Sequence, residues 1–247
     1  MKGLVLAGIY SLKCPEIQAL QLEEYLLPVI RERNPDFGEL SRARFVLSQI
    51  QPFFFYQLIA LKAGIEDCFE QEVVRAYWLG QGLSSDSVVQ KGDIERVVRE
   101  RRIPWKEDML EDFLMTKANL LIGGLPYHNF DVLLPLKQVV GKRAIPSHLL
   151  YGFNECLVRS GRISEKKSKD TFVVETFGFS QPEPREVELE EEEQEVKIDS
   201  EITKRKPRIG DYVSFHLGFV REIISKRKSE RIRKLTKDAL CFIKGRS

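Results

Sequence analysis

The chain has 247 residues, of which 43% are hydrophobic and 31% charged. Its 15 phenylalanines, 7 tyrosines and 2 tryptophans require a buried core, which excludes a wholly disordered chain. No apolar run approaches the roughly 18–20 residues of a membrane-spanning helix, and the net charge of +2 favours no class of partner.

The N-terminal segment is a short apolar run that Tyr10 and Lys13 interrupt. No convincing cleavage site follows it, so we do not interpret it as a secretory signal. The chain's 4 cysteines are too far apart for a CxxC pair, and so few in so long a chain favour reduced thiols over a disulfide framework. We therefore expect a cytoplasmic protein.

The first part of the chain, 1–150, predicts an α-helical domain. Pro28 is expected to bend or end one helix, Pro52 to split another, and Gly64 to cap its carboxyl end. No clear period-2 alternation precedes residue 125, which favours an irregular bundle. Apolar residues recur at helical spacing over 16–33, 38–63, 70–80, 87–102 and 107–122.

The pattern changes near residue 150 and predicts a second domain over 151–247. A final helix is expected over about 225–243, with Ile232, Leu235 and Ala239 on its apolar side. Alternation of apolar and polar residues predicts strands over 156–163, 171–175, 185–198 and 211–217. Short strands of this kind form a small sheet or barrel, so the predicted fold class is α+β.

Charge is unevenly distributed in this second domain. Residues 183–199 carry nine acids against two basic residues, which predicts an exposed acidic loop around Glu190–Glu193. Residues 200–247 carry fourteen basic residues against five acids. Seven of the basic residues lie on the last helix, which is compatible with RNA or DNA binding: Lys226, Arg227, Lys228, Arg231, Arg233, Lys234 and Lys237.

Candidate chemistry is limited, because the chain has only 3 histidines. No glycine-rich phosphate loop, GxSxG or HExxH motif is present, so we do not expect an enzyme. Tyr127, His128 and Asn129 lie in a PYHNF segment, which predicts either a partner-contact loop or a histidine that braces the backbone. His148 is expected to face solvent at the start of a helix.

The other histidine, His216, and Cys156 both fall in predicted strands. A thiolate and an imidazole together can bind a metal such as iron. Spacing alone favours a buried strand cysteine and a histidine on a sheet face.

Two segments of the second domain resemble the HypC/HupF family of small hydrogenase assembly chaperones. GDYVSFHLGFVREII, from Gly210 to Ile224, resembles the family's GDYVLVHxGFAxEKL. CLVRSGRI, from Cys156 to Ile163, is similar to the CLAIPGKV that opens those chaperones. KDTFVVET lies where the family has its second strand, and a terminal helix follows in both, so the match covers about residues 155–243.

The whole chain also resembles an uncharacterised bacterial and archaeal family found near nickel–iron hydrogenase genes. The matching pieces are the segment Pro52 to Gly80, PYHNFDVL, CLVRSGRI and the GDYVSFH segment. That family joins a helical N-terminal region to a HypC-like module.

These resemblances imply an OB-like β-barrel with a C-terminal helix, and a role as an accessory protein or chaperone in nickel–iron hydrogenase maturation. The implied partner is a hydrogenase large subunit or a maturation protein, without a membrane; nucleic-acid binding through the barrel and basic helix is the alternative function. Mapped by motif, Cys156 and His216 would be the ligands of an iron that carries cyanide and carbon monoxide. The residues expected to contact the partner are Tyr127, His128, Asn129, Gly210, Asp211, Tyr212, Gly218 and Phe219.

Overall fold

In the computed structural model the chain divides into two compact units, Met1–His128 and Asn129–Ser247. The structure describes residues 1–19, 21–31, 35–100, 103–138, 140, 144–182, 186–200, 203 and 205–245. The second unit begins ahead of the predicted boundary at residue 150, so it includes a helical segment that the sequence assigned to the first domain.

Helices build the first unit. The predicted break before Pro52 is confirmed, and Gly64 ends the following helix with a left-handed φ of 68°. A π-helical segment, Leu114–Ala118, interrupts the last helical stretch, and a 3₁₀ turn covers Ser85–Ser87. The α-helices are α1 (Lys2–Ser11), α2 (Pro15–Ala19), α3 (Glu23–Arg31), α4 (Phe37–Ser48), α5 (Pro52–Ala63), α6 (Gln71–Leu79), α7 (Lys91–Glu100), α8 (Glu107–Phe113) and α9 (Asn119–Leu121).

The N-terminal segment differs from the prediction. The expected helix over 16–33 is two helices, α2 and α3, because Gln21 between them adopts a φ of 53° that no helix tolerates. Pro28 lies within α3 and does not end it. Residues 20, 32 and 33 of the predicted helix, and 101 and 102 of the predicted helix over 87–102, lie outside the described residues.

The core of the first unit is aromatic and centres on α5, whose residues from Pro52 to Leu61 are all buried. Tyr10 of α1 stacks on Trp78 of α6 with ring centroids 5.1 Å apart. The indole nitrogen of Trp78 donates a hydrogen bond to the Tyr56 hydroxyl at 2.6 Å. The apolar N-terminal run thus becomes a core helix, because its residues pack against α6.

The second unit holds the remaining elements, with α10 starting at its boundary. They are α10 (His128–Leu133), a 3₁₀ segment (Leu134–Gln138), α11 (Ser147–Cys156), β1 (Arg159–Lys166), β2 (Thr171–Ser180), β3 (Glu188–Lys197), β4 (Tyr212–His216), β5 (Phe219–Ile224) and α12 (Lys226–Ile243). The final helix was predicted over nearly the same residues and is confirmed. The helix α10 and the strand β5 were not predicted, whereas α11 starts at Ser147 and His148 is exposed there, as expected.

Five strands in the described part of the chain form a sheet that closes on itself in the order β1-β2-β3-β5-β4. The pairs are antiparallel except β3 with β5, which are parallel and meet only at Lys197 and Phe219. The sheet is therefore OB-like in strand order but has one weak seam. Its core is apolar and consists of Ile163, Phe172, Val174, Val196, Ile198, Val213, Phe215 and Val220.

The predicted acidic loop near 183–199 is wrong where the structure describes it. Residues Glu188–Lys197 form β3, which pairs with β2 along its whole length; residues 183–185 lie outside the described residues. The buried Val196 and Ile198 lie on the same face as Gln194 and Glu192 by the period of a strand. The alternation that predicted a strand over 185–198 therefore continues through the glutamates that were interpreted as a loop.

The C-terminal helix α12 buries residues at spacings of three and four, among them Ile232, Leu235 and Ala239. Its N-cap is Ser225, whose hydroxyl accepts from the Lys228 backbone N–H at 3.4 Å. No helix in the described residues is long and apolar enough to cross a bilayer.

Candidate functional site

Cys156 lies at the carboxyl end of α11, not on a strand as predicted. The helix ends there because Leu157 adopts an extended conformation, although its N–H still donates to the Phe153 carbonyl at 3.0 Å. The thiol is half-buried. Burial first, and the neighbouring Glu155 carboxylate second, raise the pKa of the Cys156 thiol. The resting group is thus a thiol, which must lose its proton to bind a metal.

His216 ends β4 and is only 2% exposed. Its backbone carbonyl accepts a hydrogen bond from the Arg221 guanidinium at 3.2 Å. In the sheet, His216 pairs with Phe219 across the β4–β5 turn. The imidazole therefore belongs to the interior of the module rather than to an open sheet face.

The tip of the β4–β5 hairpin connects these two segments. It consists of Leu217 and Gly218, whose φ angles of 54° and 72° give the tight turn that suits a two-residue hairpin. The Leu217 N–H donates to the Glu155 carbonyl at 3.1 Å. Cys156 and His216 are each one residue from the ends of this bond, so the fold brings together the two segments that sequence analysis singled out.

A leucine with positive φ is unusual, because its side chain crowds the backbone in the left-handed region. Such strain often marks functional turns. Here it falls at the residue whose N–H contacts the end of α11.

A buried charged network lies beside the tip. Arg159, 2% exposed, contacts the side chains of Glu192 and Gln194 of β3. Its guanidinium also lies 5.1 Å from the centre of the Phe215 ring and 3.9 Å from the Glu155 carboxylate. Burial lowers the pKa of Arg159, and its acidic partners oppose that shift. The network reaches Glu155, the residue that precedes Cys156.

No group of three or more histidine, cysteine or acidic side chains in the described residues could hold a metal ion. Cys156 offers one half-exposed sulfur, and the His216 imidazole is deeply buried. A structural metal site closes with four ligands, and these two side chains alone do not supply them.

The other residues expected to contact a partner lie in three places. Gly218 and Phe219 are half-buried at the hairpin tip, next to Glu155. Gly210, Asp211 and Tyr212 are half-buried at the opposite end of β4, a strand of five residues that spans roughly 15 Å. Gly210 and Asp211 there make backbone hydrogen bonds with Ile163. Only the first pair lies near Cys156.

The PYHNF residues are buried. Tyr127 is 1% exposed and His128 is 7% exposed in the first unit. The His128 ring packs against Trp78 with centroids 4.3 Å apart, and its Nδ1 lies 3.2 Å from the Tyr77 hydroxyl. These contacts are with aromatic side chains of α6 and not with backbone, and they leave no side chain of this pair on the surface.

Asn129 is fully buried in the second unit and connects two of its elements. Its Nδ2 donates to the Val158 carbonyl and to the Thr236 hydroxyl, both at 2.8 Å. Its Oδ1 accepts from the Val158 N–H at 2.8 Å. Asn129 thereby joins the start of β1 to α12 and satisfies both backbone groups of Val158.

Sequence analysis missed Arg159, Gln194 and Leu217. The signal for Arg159 was present, because a single basic residue between apolar neighbours in CLVRSG requires a partner if the strand is buried. The signal for Gln194 was the one neutral residue in a run of glutamates. Leu217 gave no signal, because the left-handed turn positions usually hold glycine or asparagine.

Comparison with known proteins gives a family. A family model, described as a family of unknown function (DUF6390), matches residues 46–247. The chain belongs to this family. No curated protein and no solved structure matches the chain.

Proposed function

We propose that this DUF6390 protein is an accessory factor or chaperone in nickel–iron hydrogenase maturation, and that it binds a hydrogenase large subunit or a maturation protein. The support is the order of the two chaperone-like segments on a closed OB-like sheet with a terminal helix. One contact carries the proposal furthest: the hydrogen bond from Leu217 to Glu155, which joins the GDYV hairpin to the cysteine segment.

We place the partner contact at the hairpin tip. Gly218 and Phe219 are half-buried there, and the Cys156 thiol lies in the adjoining helix end. The cysteine, the turn and an aromatic side chain together give a partner both a thiol and an apolar contact. The cytoplasm, which keeps thiols reduced, is the proposed compartment.

The proposed cargo is an iron that carries cyanide and carbon monoxide. Cys156 would supply one thiolate, and the diatomic ligands and the partner would complete the coordination. Cys156 lies within the chain and has no free amino group, so its thiol is the group that would bind the iron. A single protein thiolate leaves the iron free to move by ligand exchange.

The binding proposal is tested by affinity purification of the tagged full chain from an anaerobic host that expresses a nickel–iron hydrogenase. We expect the large-subunit precursor or a maturation protein to be recovered. Phe219→Ala should reduce this recovery, whereas Tyr212→Ala, a matched truncation at the far end of β4, should not. Absence of both partners would overturn the binding proposal, and equal recovery with both variants would overturn its placement.

The cargo proposal has a separate test. Infrared spectra of the protein purified anaerobically with the maturation machinery should contain bands of metal-bound cyanide and carbonyl. Those bands should be lost in Cys156→Ala. Bands that persist in the variant would remove Cys156 from the cargo site.

Nucleic-acid binding is the alternative function, and an RNA-binding assay on the same protein tests it. Arg233 of α12 pairs with Glu191 of the acidic strand, and Lys226 pairs with Glu230, so acids offset part of the helix charge. We expect no salt-dependent binding to mixed-sequence RNA at low ionic strength. Strong binding that weakens with salt would favour the alternative function.

A further inference from the structure

A groove of about 750 Å³ opens on the first unit, between α4, α5 and the segment that leads into α6. It is independent of the proposed function, which concerns the second unit. Its walls are mixed: about half of the lining residues are polar or charged, and the apolar ones include Phe45, Phe53, Ile65, Phe69 and Pro104. This volume is within the range of ligand-binding clefts in proteins.

One polar side chain in the groove lacks a hydrogen bond that its buried position requires. Gln57 lines the groove, is 8% exposed, and belongs to the otherwise apolar, buried helix α5. Its Oε1 has no hydrogen-bond partner in the part of the chain that the structure describes. Buried polar atoms are nearly always paired, and an unpaired one in a cleft marks a place where a ligand can donate a hydrogen bond.

The charged residues of the groove indicate what kind of hydrogen-bond donor a ligand would carry. Its lining contains one basic residue, Arg44, and three acids, Glu66, Asp67 and Glu70. The Arg44 guanidinium is bound to the Asp67 carboxylate and lies 5.1 Å from the centre of the Phe69 ring. Outside this pair the lining has acidic residues and no basic one, and aromatic faces also favour a cation. A positively charged N–H donor fits both features.

Exposed aromatic side chains lie both at the groove and outside it. Phe45 at its edge is 67% exposed, and Phe37, on the same broad face of α4, is 85% exposed. Exposed aromatic side chains next to a groove are typical of surfaces that bind other proteins. An extended occupant covers both, whereas a small amine reaches only the groove.

We infer that this groove binds a basic peptide segment of a partner protein. An arginine or lysine of the segment donates to Gln57 Oε1, and apolar neighbours in the segment pack on Phe45 and Phe53. The acids Glu66 and Glu70 contribute electrostatic attraction from the exposed side of the groove.

The test uses the full chain and a library of acetylated hexapeptides randomised at every position. We expect the selected peptides to contain arginine or lysine beside aliphatic or aromatic residues. Fluorescence polarisation with the best labelled peptide should give an affinity at least about tenfold weaker for Gln57→Leu, because a hydrogen bond to a charged donor is lost. Gln81→Leu, the same change outside the groove, should bind as the unaltered protein does.

A second variant removes charge without touching the groove floor. Glu70→Gln, at an exposed site, should weaken binding several-fold and make it less sensitive to salt. Selection of peptides without basic residues would overturn the inference, as would equal affinity of Gln57→Leu and the unaltered protein. An affinity for arginine amide alone that equals the peptide's would assign the groove to a small cation instead.

Discussion

At the scale of single residues, the Cys156 thiol has surroundings that oppose ionisation. Burial and the adjacent Glu155 carboxylate both disfavour the thiolate, and no basic group is among the causes of the pKa shift. Metal binding at such a thiol displaces a proton and becomes easier as the pH rises. A reactive cysteine, by contrast, has a neighbouring positive charge that lowers its pKa.

We therefore predict slow alkylation of Cys156 near neutral pH. Iodoacetamide, followed by mass spectrometry of the peptide that contains Cys156, should react more slowly than with glutathione and should speed up with rising pH. Glu155→Gln should increase the rate at pH 8, because it removes the neighbouring negative charge. A rate that exceeds that of glutathione at pH 7 would contradict this prediction.

The same raised pKa has a consequence for stability. The unfolded chain loses the thiol proton at a lower pH than the folded chain. The contribution of this group to stability is therefore complete below the ordinary thiol pKa of about 8.5 and is lost as the pH rises through the folded value. Cys156→Ser should lessen the alkaline loss of stability.

Gln57 gives a second prediction at this scale, on stability rather than binding. Gln57→Leu should raise the free energy of unfolding by about 1 kcal/mol, because it replaces a buried unpaired oxygen with apolar atoms of similar volume. Urea unfolding followed by circular dichroism measures the change, with Gln90→Leu at an exposed position as the control. A loss of stability comparable to a core truncation would mean that the Gln57 oxygen has a partner in solution.

Sequence motifs identified the residues that make specific contacts but did not predict the surroundings of their side chains. The PYHNF segment identified His128 and Asn129 as special, and both make specific polar contacts. The sequence could not indicate that they are buried, because burial depends on what packs over them. Cys156 was placed on a strand because its segment alternates, yet α11 continues to it.

At the scale of secondary-structure elements, β3 is a strand of glutamates that pairs along its full length with β2. Glutamate has a low intrinsic preference for strands. Two features compensate: Val196 packs in the core, and Glu192 and Gln194 meet the buried Arg159. Tertiary contacts thus override the local preference.

Removing Arg159 should destabilise the sheet. We predict that Arg159→Met lowers the free energy of unfolding of the full chain by about 3 kcal/mol, because it leaves Glu192 and Gln194 without their partner. Arg162→Met, at an exposed position of the same strand, should change it by less than about 0.5 kcal/mol. Adding Glu192→Leu to Arg159→Met should recover part of the loss, and equal effects of the two single variants would contradict the role of the pair.

Asn129 and Asn154 each bind the backbone of another residue through their side chains, which allows a matched comparison. Asn129→Ala should lower the free energy of unfolding by about 3 kcal/mol, because both backbone groups of the buried Val158 lose their partner. Asn154 makes the same two kinds of bond with Phe179 but is only half-buried, so Asn154→Ala should cost about 1 kcal/mol. Chemical denaturation measures both, and the reverse order would contradict this reading.

Element boundaries were predictable where proline or glycine sets them. Pro52 begins α5, and Gly64 and Gly80 end α5 and α6 in left-handed conformations. Elements without such markers were missed: α1 has apolar residues on all sides, and β5 follows β4 after only two residues. The sequence does not indicate the tight turn, because leucine at position 217 is not a typical turn residue.

At the scale of the whole molecule, the family match extends over residues 46–247 and so includes parts of both units. The closed sheet alone does not account for the helical unit, which carries its own aromatic core and the groove around Gln57. The change from helical to strand periodicity near residue 150 predicted the two-part organisation. It could not reveal that Asn129 already belongs to the second unit, because that membership rests on contacts distant in sequence.

The most direct measurement is hydrogen–deuterium exchange of the full chain with and without the purified large-subunit precursor of a nickel–iron hydrogenase. We predict that the precursor protects backbone amides in 153–158 and 216–220, the end of α11 and the hairpin tip, and leaves the opposite end of β4 at 210–212 unchanged. Exchange that is the same with and without the precursor, and with a maturation protein in its place, would contradict a role in hydrogenase maturation.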